Sequence, residues 1–94
     1  MPTGVILADF TDQGRRALKD SPNRAEAAKA EAAKLGVKVK DLSYTPGGPH
    51  DIAVIVEAEG PEPVHKFMAS EQAKGNVKMK FVRTFSIEEM RKML

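Results

Sequence analysis

Apolar and polar positions along the chain change rhythm several times, and each change marks an element. Residues 3–10, TGVILADF, form a short apolar run between Pro2 and the polar Thr11-Asp12-Gln13-Gly14, the pattern of a strand covered on both faces. A weaker helical stretch, 12–19, leads to Ser21-Pro22, which reads as an N-cap and first helical position because proline there gives up only an orphan donor. A helix is predicted over 22–35, bent or broken from the first stretch at Asp20-Ser21-Pro22. Leu18, Ala25, Ala28, Ala32 and Leu35 fall near one face, and Glu26/Lys29 and Glu31/Lys34 pair on the other. So many alanines suit a helix lying close on a sheet. Gly36 ends it with a left-handed residue.

From 37 to 44 the apolar residues switch parity: Val37 and Val39 are odd, Leu42 and Tyr44 even. That switch predicts a bulge or a change of face midway along a strand. The turn Thr45-Pro46-Gly47-Gly48-Pro49 follows. Residues 51–58, DIAVIVEA, are the most apolar run and predict a central strand. A helix over 62–74 carries Val64, Phe67 and Met68 on one face and stops at Gly75. Val77, Met79 and Phe81 alternate with lysines in a strand running to residue 85, whose charges suit an edge. Ser86 and Glu89 then make an S-x-x-E capping box before a short amphipathic helix with Ile87, Met90, Met93 and Leu94.

The order β-α-β-β-α-β with a terminal helix predicts an α+β, ferredoxin-like fold over 1–94 as a single domain. Strands one and three sit at the centre of a four-stranded antiparallel sheet, with both main helices on one face. The middle strands are apolar on both sides: Ile52, Val54 and Val56 point one way, Ala53 and Ile55 the other. Helices cover only one of these faces, so something else must cover the second. A face-to-face pairing of two identical sheets meets that need with no further sequence requirement. Lys38, Lys40, Lys78 and Lys80 would surround the interface.

Composition narrows the choice of partner. Fifteen basic and thirteen acidic residues leave a charge of +2, interspersed along the chain and unlike a nucleic-acid footprint. The middle strands hold mostly aliphatic residues, with Phe10 alone at one end, where an RNA-reading sheet would present several aromatic rings for stacking bases. No cysteine is present to form a disulfide, a thiolate nucleophile or a metal ligand. No segment approaches the roughly 20 apolar residues of a membrane span, and no secretory signal opens the chain, so a cytoplasmic protein is expected. The five methionines are expected to fill the core rather than hold a metal.

A few residues carry candidate chemistry. His50, on the Gly47-Gly48 turn before the central strand, neighbours Asp51, and a His-Asp pair orients a general base or a ligand. Consecutive strand residues point to opposite faces, however, which leaves Asp51 free to accept a backbone N–H instead. Asp9 and Glu57 interrupt the ends of strands one and three, and as parallel neighbours their carboxylates would approach each other and could do acid–base work. Arg15, Arg16, Lys19 and Arg24 gather near the Ser21-Pro22 helix start, a basic cluster suited to a phosphate or carboxylate. His65, without a second ligand at helical spacing, reads as a surface residue.

The segment TDQGRRALKDSPNR, the Gly47-Gly48-Pro49-His50-Asp51 turn running into DIAVIVEA, Gly75-Asn76-Val77, and the Phe85-Ser86-x-Glu88-Glu89 ending together resemble the GYD-domain proteins along essentially the whole chain. The resemblance implies a dimeric α/β-barrel, two ferredoxin-like sheets closing on each other, with an uncharacterised activity. The family motif is Gly-Tyr-Asp or Gly-x-Tyr-Asp; here His50 stands in the tyrosine position, while Gly48 and Asp51 match. A similar element occurs in the ligand-binding domain of leucine-responsive-type regulators, which bind small amino acids between subunits, although this chain has no helix-turn-helix.

The combined reading is a cytoplasmic homo-oligomer, dimer or larger, that binds a small organic ligand in a barrel or intersubunit cleft. Asp9, Tyr44, His50 and Asp51 contact the ligand, Gly47 and Gly48 set the turn, and no metal, cofactor, nucleic acid or membrane is involved. Two alternatives remain open: a cofactor-independent monooxygenase or isomerase in which His50 or Asp9 moves a proton, and a purely structural assembly protein.

Overall fold

The computed structural model describes residues 2–94. Strands β1 (Thr3–Phe10), β2 (Lys38–Tyr44), β3 (Ile52–Glu57) and β4 (Val77–Thr84) form one antiparallel sheet in the order β2-β3-β1-β4. The two most apolar strands are therefore central and the lysine-bearing β4 is an edge, the ferredoxin-like arrangement expected from the connections. Helices α1 (Asp12–Arg16) and α2 (Ser21–Lys34) connect β1 to β2, α3 (Pro61–Ala73) connects β3 to β4, and α4 (Ile87–Met93) ends the chain.

Ile6 and Ala8 of β1 and Ile52, Val54 and Val56 of β3 point to the helices and are buried with Val64, Phe67 and Met68 of α3 and Ala32 of α2. Each large side chain buried there contributes about 1.5–3 kcal/mol. Gly4 belongs to the same row, and a Cβ on it would collide with the Phe81 ring, so its missing side chain makes room for that ring. The parity switch in β2 is a true irregularity: the register with β3 shifts between Val39 and Asp41, leaving Lys40 as the extra residue. Gly36 and Gly75 end their helices at φ 84°, and Ser86 with Glu89 forms the reciprocal capping box.

The helix start differs from its expected form. Ser21 is the first residue of α2, not its cap, and its buried hydroxyl is bonded to the Tyr44 hydroxyl at 2.8 Å. The preceding stretch divides into α1 and a 3-10 turn at Leu18–Asp20, which rotates Leu18 away from the core and leaves it exposed. Thr11 caps α1 by accepting from the Gly14 N–H and donates its own hydroxyl to the Gly75 carbonyl at 2.6 Å. Gly14 abuts the start of β4 so closely that a Cβ would run into the Asn76 carbonyl oxygen.

Among the described residues, no helix lies on the opposite face of the sheet. The register places Val5 beside Ile55 and Val82, and Leu7 beside Ala53 and Lys80. Ile55 is 41% exposed and Val82 48%. Lys78 and Lys80 border this apolar centre on β4, and Asp41 and Ser43 on β2. Of the five methionines expected in the core, Met90 and Met93 lie exposed on α4 with Ile87, next to an exposed Leu94, and Met1 lies outside the described residues. The capped helix forms but packs its apolar side on little of the chain.

Candidate functional site

The end of β1 and the turn before β3 meet because the two strands are antiparallel, with Ala8 opposite Ile52. This register carries His50 to Asp9, whose carboxylate oxygens lie 3.1 and 3.2 Å from Nδ1. A carboxylate that accepts from Nδ1–H holds the imidazole in the tautomer whose Nε2 carries the lone pair, ready to accept a proton or hydrogen bond. The same register separates Asp9 from Glu57, correcting the parallel pairing: Glu57 faces Thr3 at the far end of the sheet and binds Lys40 at 3.7 Å.

Asp51 does not join the imidazole. Its Oδ2 accepts the Phe10 backbone N–H at 2.9 Å and lies 3.7 Å from the Arg15 guanidinium. Asp51 therefore ties the turn to the end of β1, while Arg15 adds a positive charge beside it. The turn is held from within: Gly47 sits at φ 82°, the Thr45 hydroxyl donates to the His50 carbonyl at 2.5 Å, and the Thr45 N–H donates to the Asp51 carbonyl at 2.9 Å. A left-handed residue here favours glycine.

Tyr44 lies elsewhere. It pairs with Ile52, whose side chain is in the core, so its ring is on the helix side, where its hydroxyl meets Ser21. The structure thus brings Asp9, His50 and Asp51 together and separates Tyr44 from them. The basic cluster also disperses. Arg24 donates to the carbonyls of Ala17 and Gly14 at 2.8 and 3.3 Å, and Arg15 turns to Asp51. His65 presents its ring edge-on to Phe81, with centroids 6.1 Å apart. Among the described residues no group of three or more His, Asp or Glu side chains is arranged to hold a metal ion. Nor, among those residues, is any helix long and apolar enough to cross a membrane.

The most strongly perturbed charges lie between the helices. Lys74 Nζ donates to Glu31 at 2.6 Å and Glu71 at 2.9 Å, while the Ser70 hydroxyl also donates to Glu31. These bonds, Lys74 foremost and then Ser70, lower the Glu31 pKa from 4.5 to about 2. Burial pushes the Glu71 carboxyl up. The network pins α2 to α3; sequence spacing could not reveal it, because its members come from two helices.

The turn and strand that position His50 and Asp51 fall within a match to the GYD domain model over residues 5–94. The chain belongs to the GYD domain family. This GYD chain is also similar to a protein of Thermus thermophilus named "Glutamine synthetase and cystathionine beta-lyase binding protein". The two are 30% identical over 91 residues, covering 96% of this chain and 95% of the relative. No solved structure matches. In this GYD domain the position read as the motif tyrosine is His50, and the Asp9 contact is what the imidazole makes there.

Proposed function

We propose that this GYD domain is a cytoplasmic, non-enzymatic binding module that works as a homo-oligomer. Two copies close their open sheet faces over each other, and the cleft at the end of β1, rimmed by Asp9, His50, Asp51 and Arg15, receives a small polar organic ligand. The observation that carries this reading is the open face itself: its centre is aliphatic in the pairings of Val5 with Ile55 and Val82, and of Leu7 with Ala53. A lone subunit leaves that centre in water, whereas a second copy removes it. The name of the Thermus relative supports a protein-binding role for the assembled module, with glutamine synthetase and cystathionine beta-lyase as the first partners to test.

Light scattering coupled to gel filtration at micromolar concentration tests the assembly, and a dimer or larger species is expected; a folded monomer overturns it. Titration of the source organism's glutamine synthetase and cystathionine beta-lyase onto immobilised protein tests the partners, and saturable binding to neither overturns that part. One observation favours a second reading, proton transfer: a carboxylate orients the His50 imidazole, the geometry of a general base. A monooxygenase or isomerase would lose turnover in both His50→Gln and Asp9→Asn, while a binding module loses only ligand affinity.

A further inference from the structure

We propose a second binding site on the other side of the sheet, beneath α2, for a neutral and compact apolar molecule such as a bicyclic aromatic. A cavity of about 260 Å³ lies there between the sheet and the two long helices, walled by Phe10, Ala28, Leu42, Val54, Phe67 and Met79. An alanine-rich helix can sit close on the strands below it. Ala32 does so and is fully buried, whereas Ala25 and Ala28 line the cavity, where side chains that stop at Cβ leave space unfilled.

Two features make this space a site and not a packing fault. The Glu31–Lys74–Glu71 bridge, with Ser70, acts as a strut between α2 and α3 and fixes their spacing at the margin of the cavity. Interiors are otherwise close-packed, and a gap that could collapse would do so. The polar groups around the space have partners within the chain: Ser21 meets Tyr44, Arg24 two carbonyls, Lys74 two carboxylates including Glu71, Asn76 accepts from Gln13, and the half-exposed Lys29 lies 4.0 Å from Glu26. Among the described residues no buried side-chain nitrogen or oxygen lacks a partner. No orphan charge calls for a counter-ion, so the ligand is neutral. An apolar cavity of about 150 Å³ admits benzene, so 260 Å³ has room for about ten non-hydrogen atoms. This site is separated from Asp9 and His50 by the sheet and does not depend on the assembly proposed above.

Fluorescence titration with 1-aminonaphthalene, a neutral bicyclic amine at pH 7, tests it on wild type, Ala28→Leu and Ile55→Lys. Saturable binding of one molecule per chain is expected, weakened at least tenfold in Ala28→Leu, whose larger side chain fills the space and raises the melting temperature. Ile55→Lys, on the open face, is expected to bind as wild type does. Absence of saturable binding to wild type, equal binding by Ala28→Leu, or loss in Ile55→Lys overturns the proposal. Should Ala28→Leu fail to fold, methyl NMR shifts of the wild-type protein with naphthalene decide it. Shifts at Leu42, Val54 and Met79 support the site, and shifts confined to Val5, Leu7 and Ile55 overturn it.

Discussion

Replacing Ile55 by lysine probes the open face where it is least able to disturb the fold. The side chain points away from the helices, and its cross-strand neighbour on β2 is Asp41, so an ammonium gains an opposite charge within the subunit. In a monomer the change is expected to alter stability by less than about 1 kcal/mol. In a face-to-face dimer it acts twice. Ile55 is 41% exposed, and since complete burial of such a residue is worth about 1.5–3 kcal/mol, covering the exposed part contributes about 1 kcal/mol per copy and about 2 kcal/mol per dimer. Desolvating two ammonium groups adds to the loss, although the lysine stems let the charges reach toward the edge. A total of about 3 kcal/mol corresponds to roughly a hundredfold weaker dimer. Sedimentation velocity across a concentration series reads the dissociation constant, and circular dichroism confirms the retained fold. A wild-type protein that stays monomeric, or a variant whose constant lies within threefold of wild type, would refute the reasoning.

The helix pin, the α1 loop and the terminal cap each give a further expectation. Glu31 titrates at about 2 when folded against an ordinary 4.5, so its ionised form stabilises the protein above pH 4.5 and that contribution disappears as pH falls through 2. The urea midpoint of Glu31→Gln should therefore fall below wild type at pH 7, and the two should converge near pH 2. Gly14→Ala would push a methyl into the Asn76 carbonyl and is expected to cost about 1–3 kcal/mol, read as a lower melting temperature. Ser86→Ala removes a cap that accepts from the Glu89 N–H at 3.1 Å, worth about 1 kcal/mol. Because α4 packs on little else, the loss should show as faster amide exchange in residues 87–93 with the global midpoint nearly unchanged.

Most of the fold was legible because its signals are local. The parity change between Val39 and Leu42 marks a bulge wherever one face of a strand is buried, and Gly36, Gly75 and the Ser86/Glu89 pair terminate or start helices through their own backbone chemistry. The site was only half legible. Adjacency along the chain suggested His50 with Asp51, but the partner of His50 is Asp9, 41 positions away, and only the antiparallel register of β1 and β3 brings them together. Ser21 looked like a cap because serine before proline usually is one; the Tyr44 hydroxyl recruited its side chain instead. The alanines of α2 showed that little side chain was available, but not whether the helix would close the space or leave it.

If the proposed dimer forms, the location of the Asp9–His50 pair would link ligand binding to assembly. Asp9 follows Val5 and Leu7 on the open side of β1, and it faces Lys78 across the β4 register, so the pair lies at the rim of the same apolar face that two copies would close. Two-fold pairing of the proposed kind would bring a second copy of every rim group to the interface and exclude water from both. A ligand held by rim groups of both copies binds the dimer and not the monomer, and must therefore shift the equilibrium toward dimer by the ratio of its two affinities. Asp9→Asn and His50→Gln leave the apolar centre untouched and should preserve the ligand-free dissociation constant while abolishing its change on adding ligand. A ligand that binds without moving that constant would place its site wholly within one subunit.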